Sequence, residues 1–493
     1  MRRLTNQEYA RTLADLLDLD VGGLSLPPEE EVHGFKNNAE ALTFSPVLAE
    51  RHLLIAETLS SRAVMDLPKL TGCGEKQDED CAKAFISRLG QRAWRRPLEP
   101  TESANLLDMF REGSKAGFAE GVRLVVQALL MSPSFAYRTE QGEGGPDGQL
   151  RPTSWEMASR LSYLMWGTMP DAELFAAAAD DKLKTEEQVL AQAERLLKSP
   201  RSRIPMQEFF VEWLGLEGVQ TVTKDAKAYP GFSAAVAEAQ SQEIAKFLEA
   251  AFWSDEGGFA DLFTSKDTFV NSVLAKHYQL PEPAGATFER RTFPDDNRAG
   301  ILSMGGLMAK LAAPDQTSPT LRGVFVRERV LCYELEPPPV SVDNVLPSPT
   351  PATTTRGRVN DHQSDPNCSG CHRLFDPIGF GFERFDAVGR LRDTDGGKPV
   401  DDSGEVFGSS IGSFRGAAEL GRKLAADEGA ARCMATNFLR FALGRSETPA
   451  DENTVTAMKD QLLSGDKPLW ALIPTLVTSD RFVSPSSSQG VKP

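Results

Sequence analysis

Thr153-Ser154-Trp155-Glu156-Met157-Ala158-Ser159-Arg160-Leu161-Ser162-Tyr163-Leu164-Met165-Trp166 carries the grammar that sets the fold class of this chain. A threonine followed three residues later by glutamate is a capping box, in which each side chain satisfies the other's backbone N–H at a helix start. Met157, Leu161, Leu164 and Met165 then recur at helical spacing and face one way. The same pattern opens at Thr5-x-x-Glu8, with Tyr9, Leu13, Leu16 and Leu17 on one face, and at Thr185-x-x-Gln188, with Val189, Ala193, Leu196 and Leu197. Further amphipathic stretches cover residues 46–65, 81–91, 101–112, 117–131, 205–214, 233–252 and 259–277. Ser318-Pro319 reads as a cap with proline at the first helical position, predicting a helix through Cys332. These stripes are packing faces, and the expected fold class is mainly α.

Toward the C-terminus the pattern breaks at Glu336. Pro337-Pro338-Pro339, then Pro347, Pro349 and Pro351, with Thr353 to Thr355, predict an extended connector that is poorly helical. Beyond residue 390, Asp393-Thr394-Asp395-Gly396-Gly397 and Asp401-Asp402-Ser403-Gly404 read as turns between short extended segments, including a small hairpin. Calcium is the competing reading of this Asp/Gly cluster, but the regular loop spacing is absent. Helices resume at about Ala417 and run through Arg432 to Leu443 and on to Trp470–Phe482.

The connector delivers the chain to Cys368-Ser369-Gly370-Cys371-His372, and C-x-x-C-H is the spacing at which haem c is attached. Two cysteines three apart suit thioether bonds to the two vinyl groups of one haem, and the next histidine suits proximal ligation of iron. With six cysteines and five histidines in 493 residues, chance supplies this pattern on the order of once in two thousand shuffled chains. The rival readings are a zinc site, a redox dithiol and a structural disulfide. Phe375, Ile378, Phe380 and Phe382 follow and offer apolar cover for one haem face, and the Pro377 carbonyl is expected to take the other nitrogen of His372. His362 is the candidate distal iron ligand. Met304, Met308 and Met434 are the alternatives for the sixth position, each more simply read as core filling. His33, His52 and His277 carry no motif and read as structural or surface residues.

Composition frames this site. The chain is 40% hydrophobic and 25% charged, the profile of a globular protein long enough for about three domains. Its 54 basic against 70 acidic residues give a net charge of −16, which disfavours nucleic acid and anionic membrane surfaces as partners. No apolar run approaches the roughly 20 residues of a membrane span. Met1-Arg2-Arg3 has the charge of a signal n-region, yet Thr5-Asn6-Gln7-Glu8 follows where an apolar segment should begin. Because haem c is attached outside the cytoplasm, the expectation is a periplasmic or cell-surface protein whose export segment is missing from the gene start. Cysteine usage agrees with export: Cys73 and Cys81 bracket a short polar loop, and Cys332 and Cys433 remain to pair across the fold. Free buried thiols are the alternative.

The order of these segments resembles a family of exported bacterial cytochrome-like proteins built from five co-occurring domains of unknown function, numbered 1587, 1595, 1592, 1588 and 1585 in chain order. The carrying stretches are Arg3-Leu4-Thr5-Asn6-Gln7-Glu8-Tyr9, Ala93-Trp94-Arg95-Arg96-Pro97-Leu98 and Arg160 through Trp166. Thr317-Ser318-Pro319-Thr320-Leu321-Arg322-Gly323, Cys368 through Arg390, and Phe441-Ala442-Leu443-Gly444-Arg445 complete them. The resemblance implies one covalent haem on Cys368 and Cys371, with His372 as axial ligand, and an exported location. It names no reaction. Only one C-x-x-C-H is present, which argues against a two-haem mechanism within this polypeptide.

The expected architecture is thus a multi-segment helical protein with a Pro-rich connector leading to a small cytochrome c-like haem module. Its expected parts are an N-terminal helical segment (1–66), a helical segment with the Cys73/Cys81 loop (67–140), a central helical domain (150–280), a haem-binding domain (295–410) and a C-terminal helical domain (411–486). The leading functional expectation is a mono-haem c-type cytochrome-like protein exchanging electrons with a co-exported redox partner. The alternatives are a haem enzyme of peroxidase or oxygenase type with an open distal site, and a non-redox scaffold whose cysteines are structural. Hydrolase, nucleotide-binding and metalloprotease motifs are absent from the sequence.

Overall fold

Each capping box read from the sequence closes a helix start. Thr5 Oγ1 accepts from Glu8 N at 3.1 Å, while Glu8 Oε2 accepts from Thr5 N at 2.9 Å, ahead of the helix Asn6–Leu17. The Thr153/Glu156 and Thr185/Gln188 boxes do the same for Ser154–Trp166 and Glu186–Leu197. The computed structural model describes residues 1–144, 150–285, 287–336, 353–363 and 366–483, and the side chains of residues 362–367 fall outside that description. It is mainly α, with short two-stranded antiparallel pairings between the helices. The Pro-rich connector expected from Glu336 onward lies, over residues 337–352, outside the described residues. The chain divides into two units.

The first unit comprises Met1–Met206, Leu439–Thr454 and Ile473–Pro493. Tyr9, Leu13 and Leu16 bury the inner face of the first helix against Phe85, Leu89, Phe110, Val125 and Leu129. Each such side chain contributes about 1.5–3 kcal/mol by leaving water. Arginines join the backbone ends around this core. Arg95, in left-handed backbone after the helix Glu79–Trp94, is buried and donates to the carbonyls of Ala93, Ser134, Phe135 and Tyr137. Arg160 pairs with Glu140 and reaches the Phe482 carbonyl. Cys73 and Cys81 form a disulfide, and Glu79–Trp94 starts inside the loop that it closes.

The second unit comprises Gln207–Phe438 and Val455–Leu472. Its long helix Ala234–Trp253 fits the expected stretch 233–252, but residues 259–277 do not form one helix. A short helix, Asp261–Thr264, gives way to the strand Asp267–Val270, paired with Glu289–Thr292, before the helix Ser272–Tyr278. The reason is local: Thr268 and Val270 are buried and alternate with less buried Asp267 and Phe269, the two-residue period of a strand. Thr394–Asp395 pairs with Lys398–Pro399 across Gly396-Gly397, both at positive φ, so the expected hairpin forms. The neighbouring acidic side chains are taken by arginines, Asp395 by Arg392 and Asp402 by Arg415.

Ser318 caps the helix Pro319–Phe325, which continues as a wider turn over Val326–Val330 and ends before Cys332, in left-handed backbone. This helix crosses Pro366–Phe380, hereafter the motif helix, at two glycines. A Cβ on Gly323 would lie 1.8 Å from the Phe375 carbonyl oxygen, and one on Gly379 would lie 1.8 Å from that of Pro319. The two backbones therefore touch, and only glycine fits at either point. Arg322, fully buried, fastens the crossing by donating to the carbonyls of Phe382, Phe385 and Asp386 and pairing with Glu383. Cys332 and Cys433 are disulfide-bonded, closing a loop that contains the motif helix.

Candidate functional site

Cys368, Cys371 and His372 all lie on the motif helix. The intervals of three and four residues put them on one face of it. Cys371 is exposed, Cys368 is half-buried, and neither is in a disulfide, unlike the other four cysteines. Gly370, between them, faces open space. The His372 side chain is 19% exposed and packs against Phe375, with ring centroids 5.1 Å apart. Along the helix, exposure at the motif gives way to burial from Phe375 onward.

One partner of His372 differs from the expected Pro377 carbonyl. Its Nδ1 lies 2.7 Å from Oδ2 of Asp376, one turn on, and the Asp376 side chain is 0% exposed. Thr320, on the crossing helix, donates its hydroxyl to Oδ1 of the same carboxylate at 2.7 Å. Buried carboxylates are tolerated when hydrogen-bonded on both oxygens, as here. A carboxylate only accepts, so the pairing puts a proton on Nδ1, which in the neutral ring leaves the lone pair on Nε2. Asp376 and Thr320 are the site residues that the sequence reading missed. For Asp376 the signal was present, since His372 and Asp376 stand four apart on a helix; Thr320 lies 56 residues away and joins only through the glycine crossing.

Of the apolar residues after the motif, Ile378, Phe380 and Phe382 are buried, and Phe375, also buried, packs beside the His372 ring. Met304, Met308 and Met434 are buried core residues. His277 is buried with Nε2 2.9 Å from the Val388 carbonyl oxygen. His52 stacks on Tyr9, and burial draws its pKa down to about 4. His33 is exposed. The backbone of His362 belongs to the helix Thr355–Gln363, and its side chain lies outside the described residues. Among the described residues no group of three or more His, Cys, Asp or Glu side chains is placed to hold a metal ion.

Four arginines beside the motif helix, Arg322, Arg327, Arg356 and Arg358, carry buried polar atoms without partners, in Arg322 and Arg356 the Nε alone. Arg327 donates through Nη1 to the carbonyls of Leu374 and Phe407, yet its Nε is buried and unbonded. Arg358, 6% exposed on the helix packed against the motif helix, bonds Thr355 Oγ1 through Nη2 but leaves Nε and Nη1 buried and unbonded. Burial holds the Arg327 guanidinium below the ordinary arginine pKa. Orphaned guanidinium donors fit a group that brings carboxylates. Haem brings two. On the side of the donors, then, two unpaired thiols, a histidine with its Nδ1 held and arginines short of acceptors suit covalent haem.

Family profiles match five stretches: proteins of unknown function DUF1587 over residues 2–65, DUF1595 over 81–140, DUF1592 over 153–280, DUF1588 over 298–395 and DUF1585 over 412–482. These are the five domains, in the same order, that the sequence resemblance named. The chain carries the whole set. The DUF1588 profile, whose short name PSCyt3 is cytochrome-like, spans the motif helix, Thr320, Arg327 and Arg358. No curated protein and no solved structure matches the chain.

Proposed function

We propose that this chain is an exported mono-haem c-type cytochrome-like protein that exchanges electrons with a redox partner. Cys368 and Cys371 would hold the haem through thioethers, His372 Nε2 would be the axial ligand, and Arg327 and Arg358 would face its carboxylates. When bound, the haem supplies a one-electron couple. The chain supplies orientation: the motif helix presents both thiols and the imidazole on one face, and Asp376 keeps the His372 proton on Nδ1. The observation that carries this reading is the His372–Asp376–Thr320 chain, an arrangement suited to a metal-ligating histidine.

Two disulfides fit folding in an oxidising compartment, and no helix among the described residues is long and apolar enough to cross a membrane. We place the protein in the periplasm or on the cell surface. The net charge of −16 suits a basic docking partner. The test is production with a signal peptide and a cytochrome c maturation system, followed by a pyridine haemochrome spectrum and a haem-stained denaturing gel. Pigment that survives denaturation and adds one haem to the mass supports the proposal. An unmodified mass in correctly exported, folded protein overturns it and leaves a helical scaffold.

A further inference from the structure

We infer that Asp376 is a positioning residue that sets the electron-donating strength of His372, and so biases the site toward the oxidised state. The inference rests on the haem-attachment reading and deepens it. Asp376 is fully buried, 2.7 Å from His372 Nδ1, with its other oxygen held at 2.7 Å by Thr320. A neutral carbonyl at Nδ1 polarises an imidazole weakly. A buried carboxylate draws the Nδ1 proton and shifts charge onto Nε2, and in a low-dielectric setting that effect is strong. An axial ligand richer in electrons favours ferric over ferrous iron, which lowers the reduction potential.

Thr320 adds a counterweight. Its hydroxyl stabilises charge on Oδ1, leaving less for the Nδ1 proton. The two residues should therefore act in opposite senses, whereas a general loosening of the site would move both variants the same way.

The test uses the full chain matured with haem, in the wild type and in Asp376→Asn, Thr320→Val and Thr320→Ser. Denaturing gels report covalent pigment, and redox titration reports the midpoint potential. Asp376→Asn is expected to raise the midpoint, Thr320→Val to lower it, and Thr320→Ser to restore the wild-type value. Pigmented Asp376→Asn with an unchanged or lowered midpoint overturns the inference, as does Thr320→Val moving in the same direction as Asp376→Asn. A second readout needs no haem: in Cys368→Ala/Cys371→Ala protein, ¹⁵N NMR of His372 should show the Nδ1–H tautomer, weakened by Asp376→Asn. Finding the Nε2–H tautomer in the parent overturns the inference. Absence of pigment in every matured sample instead overturns the haem-attachment reading, and the tautomer then still decides whether Asp376 positions His372.

Discussion

Removing the Cys332–Cys433 disulfide should cost the second unit more than removing Cys73–Cys81 costs the first. The bonded residues are 101 apart in one case and 8 apart in the other. Loop-closure entropy in the denatured chain gives about 4.7 kcal/mol at room temperature for the long loop and about 2.5 kcal/mol for the short one. With a urea dependence of about 2.5 kcal/mol per molar, Cys332→Ser/Cys433→Ser should lower the midpoint of the second unit by about 2 M, and Cys73→Ser/Cys81→Ser should lower that of the first by about 1 M. Hydrogen exchange read peptide by peptide along a urea series separates the two units, and Trp213, buried and bonded through Nε1 to the Arg329 carbonyl at 2.7 Å, reports the second by fluorescence. Both pairs should be removed in the Cys368→Ala/Cys371→Ala background, so that no covalent pigment ties the long loop independently. A short-loop variant that loses as much as the long-loop variant, or unchanged protection across residues 207–438 without Cys332–Cys433, would refute the loop-closure argument.

Glu243 should make the second unit less stable as pH rises. It is fully buried, accepts from Thr268 and Tyr278, and burial pushes its pKa to about 7 from the ordinary 4.5. Between those values the folded state holds the extra proton, so stability falls across the window by about 3 kcal/mol, and Glu243→Gln should flatten the slope in thermal melts from pH 4.5 to 7.5. Cys368→Ala/Cys371→Ala should abolish covalent pigment while shifting haem-free stability by no more than about 0.5 kcal/mol, because the motif is at the surface. A larger loss would mean the thiols are structural. Arg358→Met should stabilise the haem-free protein by about 1 kcal/mol, since it removes buried donors that lack acceptors, and should destabilise the pigmented protein instead. Destabilisation of both forms alike would exclude Arg358 from a carboxylate-binding role.

What could be read from the sequence was what is decided within a turn or two of chain. Thr5, Thr153 and Thr185 announced their helices because the capping partner stands three residues away. The C-x-x-C-H spacing was legible for the same reason, and its placement on one helix is what the structure adds to it. Residues 259–277 were misread because their short apolar runs suit either period, and the strand Asp267–Val270 is settled by its pairing with Glu289–Thr292. The apolar residues after the motif were assigned to a haem face by proximity alone, and their burial leaves that assignment part of the proposed function. Arg95, Arg160, Arg298 and Arg322 are buried and bond carbonyls up to hundreds of residues away, which no local pattern encodes. Several of the stretches that carry the family resemblance turn out to be these fastenings.

A side chain lying between two helices can change rotamer and let them shift, and the Gly323/Gly379 crossing has two main chains in contact instead. That contact resists a shift of the motif helix against its neighbour, so Thr320 and Asp376 are expected to keep their separation when a partner presses on the outer face. Under the proposed function, a docking protein could then collect or deliver an electron without retuning the iron. The driving force of that transfer would be written into the backbone and would read the same in solitude as in a complex.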